Sequence, residues 1–259
     1  MTLAQEKSIK KIIENAENDP EILGIILVGS VADGTATEKS DIDVFVIVNN
    51  NRFNKEMKQK NYFWGTNSDS SEYPAEVEGK IINKEFLERI WTDGNEAVQN
   101  TFNTIKVLYS CDDEIEKLLK ENKSKFVNNK NEKIRKFYAL MKSFRYKASD
   151  DLNNIFQIKS CILDTAYFAC RLVLIHNDIL FSCLKNIEKS LNLCRSKPNN
   201  FIKELHVLLE IMSLEQLEIF YNNVEPYFQN YRYDDKIRKG YVIENENFWF
   251  FNEKPYREI

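Results

Sequence analysis

Two runs of apolar, β-branched residues constrain this chain more than anything else in it. ILGIILV at Ile22–Val28 and DIDVFVIV at Asp41–Val48 are each the length of a strand, and the first is apolar throughout. Continuous apolar runs of that length belong to strands buried on both faces. The first run stops on Gly29-Ser30 and the second opens on Asp41-Ile42-Asp43, so polar chemistry sits where the two apolar segments meet.

The surrounding sequence supplies the rest of a sheet domain. Residues up to Asn18 have Ile9, Ile12, Ile13 and Ala16 on one side of a predicted amphipathic helix, which Asp19-Pro20 interrupts. Asn49, Asn50 and Asn51 read as a turn. A third strand is predicted at Ala75–Ile82 and a fourth at Ile105–Tyr109, with KEFLERI and NEAVQNTF helical between them. Strands interleaved with helices indicate an α/β or α+β sheet domain, here assigned to residues 1–112, and α+β with a mixed sheet is the expectation adopted.

From Asp113 the pattern changes. No glycine and only Pro198 interrupt the chain before Pro226, and Ile155, Ile158, Ile162, Ala166, Ala169 and Val173 recur at helical spacing. Residues 113–259 are therefore expected to form a C-terminal bundle of four or five helices. The basic stretch Lys117–Lys147 reads as a solvated helix face or, alternatively, as a lining for phosphates. The aromatic tail, YVIENENFWFFNEKPYREI, is expected to pack back on the first domain.

Composition narrows the function. Hydrophobic residues at 43% and charged residues at 29% describe an ordinary globular chain. A net charge of -4 and a pI near 5.5 argue against a grip on long nucleic acid, which calls for a basic excess. No segment has the roughly 20 apolar residues of a membrane span, and no apolar signal core stands near the N-terminus, so a cytoplasmic location is expected. Five cysteines without a CxxC pair read as reduced thiols, mostly in the core. Two histidines, His176 and His206, leave little material for a Cys/His zinc site or a Ser/His/Asp triad.

The chemistry is carried by acids. Residues two apart on a strand share a face, so Asp41 and Asp43 project together while Ile42 and Val44 point the other way. Paired carboxylates repel one another, and a divalent cation relieves the repulsion. Mg²⁺ suits such a pair because it takes hard oxygen ligands and keeps room for water and phosphate oxygens. Gly29 lets a phosphate approach the backbone, and Ser30 offers both an N–H and a hydroxyl. A third carboxylate would complete the metal site and take the proton from an attacking hydroxyl. Glu76 and Glu78, two apart on the third strand, are the candidates.

Gly29-Ser30, residues 31–40, and then Asp41-Ile42-Asp43 between apolar strands resemble the signature of the DNA polymerase β-type nucleotidyltransferase superfamily. Within it the chain is most similar to bacterial two-domain enzymes, including the aminoglycoside nucleotidyltransferases. Glu78 followed by Lys80 resembles that superfamily's acid-x-Lys pattern, which favours Glu78 over Glu76. The resemblance implies a polymerase β-like domain in which Asp41, Asp43 and Glu78 bind two Mg²⁺ ions, and Ser30 and Ser40 contact the triphosphate of an NTP. A nucleoside monophosphate would pass to an acceptor hydroxyl, with an aminoglycoside-like cation, another protein, or, disfavoured by charge, an RNA end as acceptor. The segment RLVLIHNDILFSCLK resembles a recurrent helix of related enzymes, which makes His176, Asn177 and Lys185, together with Glu76, candidate acceptor contacts. One position departs from the pattern: many relatives carry arginine near Asp33, where this chain reads GSVADG and an acid would repel phosphate. That departure leaves open a different class of protein, a nucleotide- or partner-binding module that keeps the fold without the chemistry.

Overall fold

Strand β1 (Ile22–Val28) is hydrogen-bonded on both sides in the computed structural model, which describes residues 1–66, 73–122, 130–231, 234–241 and 243. Its neighbours are β2 (Ile42–Val48) and a later strand, both antiparallel to it. The described residues fall into two compact units, Met1–Phe126 and Val127–Ile259.

The first unit runs α1 (Leu3–Glu17), β1, a short helix α2 (Gly29–Asp33), β2, α3 (Asn50–Lys58), β3 (Phe63–Thr66), β4 (Val77–Ile82), α4 (Lys84–Asp93), α5 (Glu96–Thr101), β5 (Lys106–Ser110) and α6 (Asp113–Asn122). The five strands form one mixed sheet in the order β3-β4-β2-β1-β5. The β2–β4 pair is parallel and the other three pairs are antiparallel. This is the α+β, mixed-sheet architecture that the sequence predicts.

Alternation along the strands builds two layers of core. Ile42, Val44, Val46 and Val48 join Ile25 and Leu27 of β1, Val77 and Ile81 of β4, and Ile12 and Ala16 of α1 in one buried cluster. Phe45, on the opposite face of β2, packs its ring at 5.9 Å from Phe86 of α4 and 5.0 Å from Phe102 at the end of α5. Each fully buried Val, Leu or Ile side chain of this core contributes about 1.5–3 kcal/mol by leaving water. Asp43 lies two residues before Phe45 and so shares its face, at the start of the strand.

Two local expectations are corrected. Asn49–Asn51 is a helix start: the Asn49 side chain accepts from Arg52 N at 2.9 Å and caps α3, as asparagine does well because its oxygen replaces a missing helical acceptor. The sheet also has a strand, β3, that periodicity did not reveal. It is short, lies at the sheet edge and contains Gly65, so it offers little alternation to read.

The second unit contains α7 (Lys130–Lys147), α8 (Ile155–His176), a 3₁₀ turn at Leu184–Asn186, α9 (Ile187–Leu193), α10 (Phe201–Ile211) and α11 (Leu214–Phe228). Five α-helices lie between 130 and 228 and make this region helical as expected, while α6, at Asp113–Asn122 in the stretch expected to open the bundle, falls in the first unit. Helix α8 is its axis, with residues from Ile158 to Ile175 buried along most of its circumference. Arg171 is fully buried there. Its guanidinium lies 4.6 Å from the Phe137 ring centre and 4.5 Å from that of Phe181, and it donates to the Tyr167 hydroxyl. Several cations of α7 are held by acids of the same unit: Lys130 by Asp178, Lys142 by Glu225, and Arg145 by Glu218. Those residues serve as paired side chains rather than as a phosphate lining. Cys161, Cys170 and Cys194 are buried free thiols, while Cys111 and Cys183 are exposed. Burial pushes Cys170 up to about 12 and Cys194 up to about 11, which keeps both protonated and inert. The aromatic tail from 244 onward, with Trp249, lies outside the described residues. Among the described residues no helix is long and apolar enough to cross a membrane.

Candidate metal centre

Asp43 sits between two strands that each bring something to it. On one side its antiparallel partner is Val28, the last residue of β1, and on the other its parallel partner is Glu78 of β4. Parallel partners on adjacent strands point to the same face, so Glu78 stands beside Asp43. Asp41, just before β2, completes the group. One carboxylate oxygen from each of Asp41, Asp43 and Glu78 lies within 4.8 Å of the other two.

Three like charges at that distance repel by about 1 kcal/mol per pair in a water-like medium, and by a few kcal/mol at an effective dielectric of about 20. Lys80 Nζ stands 3.9 Å from Glu78, but both side chains are about half exposed, so this ion pair offsets little. The donor set fits a hard divalent cation. Two ligands about 2.0–2.1 Å from one Mg²⁺ lie at most about 4.2 Å apart, a separation that small carboxylate rotations reach from 4.8 Å. Asp41 and Glu78 are exposed and Asp43 is half-buried, which leaves open coordination positions for water or phosphate.

Gly29 is required by this arrangement. Its φ of +68° is one that L side chains rarely adopt, and a Cβ there would stand 2.4 Å from the Asp43 carboxylate. The glycine thus admits Asp43 to the end of β1. Ser30 is half-buried in α2, and its carbonyl accepts from Thr35 N and Ala36 N at 3.0 Å each, fixing the turn that follows. The Ser40 hydroxyl accepts from Thr37 N at 2.9 Å and so closes the loop that leads to Asp41.

Other sequence candidates fall differently. Glu76 is exposed and outside the acid cluster; its backbone carbonyl accepts from Ile42 N at 2.9 Å, stitching the start of β2 to the segment before β4. Asp33, the departure from the expected arginine, shapes its own turn, with its Oδ1 accepting from Thr35 N at 2.8 Å and from the Thr35 hydroxyl at 2.6 Å. His176, Asn177 and Lys185 belong to the second unit. His176 packs edge-on to Tyr227 and Phe228, and burial with the nearby Lys130 lowers its pKa. The Asn177 amide is taken up by Val173 O and by both backbone groups of Ser196. Lys185 is exposed on the 3₁₀ turn.

Sequence reading missed two buried polar residues of α1, Gln5 and Ser8, which hold the chain segments leading into β2 and β4. Gln5 carried a signal, because Thr2-x-x-Gln5 is a capping box. Ser8 carried none.

Residues 10–114 match the family model described as polymerase beta, nucleotidyltransferase. The first unit is a polymerase β-type nucleotidyltransferase domain. The matched span contains Gly29, Asp41, Asp43 and Glu78, that is, all three acids of the cluster and the glycine that makes room for one of them. No curated protein matches the sequence. Among solved structures, a nucleotidyltransferase-like protein from Exiguobacterium sibiricum is similar over 87% of this chain and 75% of its own, at 13% identity and a TM-score of 0.49. The nucleotidyltransferase domain supports nucleotidyl transfer in general terms and makes a nucleotide the natural substrate.

Proposed function

We propose that this chain is a metal-dependent enzyme that moves a nucleoside monophosphate from an NTP to the hydroxyl of an acceptor. The observation that carries the proposal is the convergence of Asp41, Asp43 and Glu78 within 4.8 Å, beside a glycine that leaves room for the Asp43 carboxylate. Like charges crowded at one end of a sheet are costly without a cation, and the family of the domain gives that cation a use.

In this reading Asp41, Asp43 and Glu78 hold divalent metal, two Mg²⁺ ions as the family resemblance implies. Metal bound there neutralises triphosphate charge and makes an acceptor hydroxyl easier to deprotonate. Gly29 leaves the backbone open to phosphate, and Ser30 and Ser40 supply hydroxyls for its oxygens. Glu78 takes the proton of the acceptor hydroxyl while its oxygen bonds to the α-phosphorus; the bond from that phosphorus to the bridging oxygen breaks, and pyrophosphate leaves. For the acceptor we favour a small polyhydroxylated cation of the aminoglycoside type, because exposed acids such as Glu76 attract positive charge and the chain as a whole is acidic. His176 is a proposed acceptor contact, while Lys185, itself a cation, suits an acceptor of this kind poorly. Asn177 is also a weak candidate, since its amide is already hydrogen-bonded within its own unit.

The test is pyrophosphate release from each NTP with Mg²⁺, against a panel of aminoglycosides, proteins and RNA ends, with Asp43→Asn as the blank. Release that needs metal, acceptor and Asp43 supports the proposal. No release from any combination overturns it; a rise in melting temperature on adding Mg-NTP would then favour a nucleotide-binding module that kept the fold, and no rise a partner-binding one.

A further inference from the structure

Resting on the metal-centre reading, we infer that Gln5 and Ser8 of α1 are positioning residues that set the relative register of β2 and β4 and thereby bring Glu78 to Asp43. The two strands are parallel and separated in the chain by α3 and β3. Parallel strands have no tight turn between them to fix their pairing. A slip of one residue would turn Glu78 to the opposite face and put Val77 or Gly79 beside Asp43. The alternation of β4 disfavours such a slip, and ties from outside the pair that hold the two strand entrances level add to it.

Helix α1 does this with two side chains that a helix would ordinarily make apolar. Gln5, 1% exposed, donates from Nε2 to Ser40 O at 2.9 Å and to Thr37 O at 3.2 Å, while its Oε1 accepts from Thr2 N at 2.8 Å. Both donor bonds of that amide are thus directed at the loop whose next residue is Asp41. Ser8, fully buried, donates to Ala75 O at 3.0 Å and accepts from Ala75 N at 2.9 Å. It clamps both backbone groups of the residue that precedes Glu76, and Glu76 O in turn accepts from Ile42 N. Residues three apart on a helix have Cβ atoms about 5–6 Å apart, and neighbouring strands lie about 4.7–4.9 Å apart. One helical step from Gln5 to Ser8 therefore matches the step from β2 to β4. Asn15, further along α1, donates to the Tyr73 hydroxyl at 2.6 Å and adds a third tie to the β4 side.

Mn²⁺ binding to Ser8→Ala, Gln5→Met and Ser8→Thr, read from the electron paramagnetic resonance signal of free Mn²⁺ and compared with wild type and Asp43→Asn, tests this. Measurements are made at a temperature where circular dichroism shows each protein folded. Loss of a group that orients metal ligands weakens affinity by about 10–100-fold. Ser8→Ala and Gln5→Met should lie at about the lower end of that range. Ser8→Thr, which keeps the hydroxyl, should stay near wild type. A merely structural role would lower the melting temperature and leave Mn²⁺ affinity of the folded protein unchanged; that outcome in Ser8→Ala overturns the inference, and Ser8→Ala decides if Gln5→Met does not fold. Wild-type binding no stronger than that of Asp43→Asn overturns the metal-centre reading itself, and this inference with it.

Discussion

Charge is handled in opposite ways in two regions of the molecule. In the helical unit, charged groups are matched: Arg171 is enclosed by aromatic rings, Arg145 meets Glu218, and Glu225 accepts from both Tyr138 and Lys142. In the nucleotidyltransferase unit, three acids of one sign are gathered where two strands begin. Neighbours compensate the first kind of charge, so it stabilises the fold. The second kind gathers repulsion at one spot, which under the proposed function a divalent cation relieves, so it serves function at some cost in stability. Substitutions of the clustered acids should therefore cost activity, and those of the matched charges such as Arg171 should cost stability.

The largest effect should come from the acids. Asp43→Asn should abolish transfer, and Glu78→Gln should slow turnover by about 10²–10⁴, the range for loss of a general base. Glu76→Gln should be mild and should act on acceptor binding. Relief of like-charge repulsion should leave the metal-free Asp43→Asn protein as stable as wild type or more so. Steady-state kinetics beside thermal melts check both halves, and a stability loss in Asp43→Asn as large as its activity loss would break the comparison.

Arg171→Ala should behave in the reverse sense. It removes a fully buried side chain from between two rings and leaves a cavity, which costs about 2–5 kcal/mol. Urea unfolding should record that loss, while Mn²⁺ binding to the folded fraction stays at the wild-type level. Reduced Mn²⁺ affinity in the folded protein would contradict the division of labour.

Gly29→Ala probes the point where fold and site meet. Its strained φ and the approach to Asp43 should cost about 1–3 kcal/mol, and the displaced carboxylate should also weaken metal binding. A variant with unchanged stability and metal affinity would show that Gly29 has no part in seating Asp43.

The smallest effect concerns pH. Hydrogen bonds from Tyr138 and Lys142 hold Glu225 below its ordinary pKa of 4.5. The folded-state value is depressed, so its contribution is fully present above pH 4.5 and is lost as pH falls through the lower folded value. Glu225→Gln should flatten that part of the acid limb, by on the order of 1 kcal/mol for a partly exposed group. An unchanged slope below pH 4.5 in that variant would show that Glu225 adds nothing to acid stability.

Sequence pattern carried β1 and β2 because their apolar runs are long, β4 and β5 through shorter apolar segments on either side of readable helices, and the helical unit because little breaks its spacing. It missed β3, four residues at an edge, and it took Asn49–Asn51 for a turn because asparagine favours turns and helix caps alike. Asp41 and Asp43 were legible, since two-residue spacing alone puts them on one face. Choosing Glu78 over Glu76 needed the β2–β4 register, which is a long-range pairing and leaves only a family resemblance in the sequence. Ser8 was illegible for the same reason: its partner, Ala75, is a backbone contact made only in the folded chain.

Asp41, Asp43 and Glu78 are proposed to form one divalent-cation site. A crystal grown with Mn²⁺ and a non-hydrolysable NTP, examined at the manganese edge, tests it directly. Anomalous density is expected within about 2.0–2.3 Å of oxygens from all three carboxylates, with triphosphate oxygens completing the shell over Gly29-Ser30. Manganese held by Glu76 with Glu78 turned to solvent, or bound away from this cluster altogether, would contradict it.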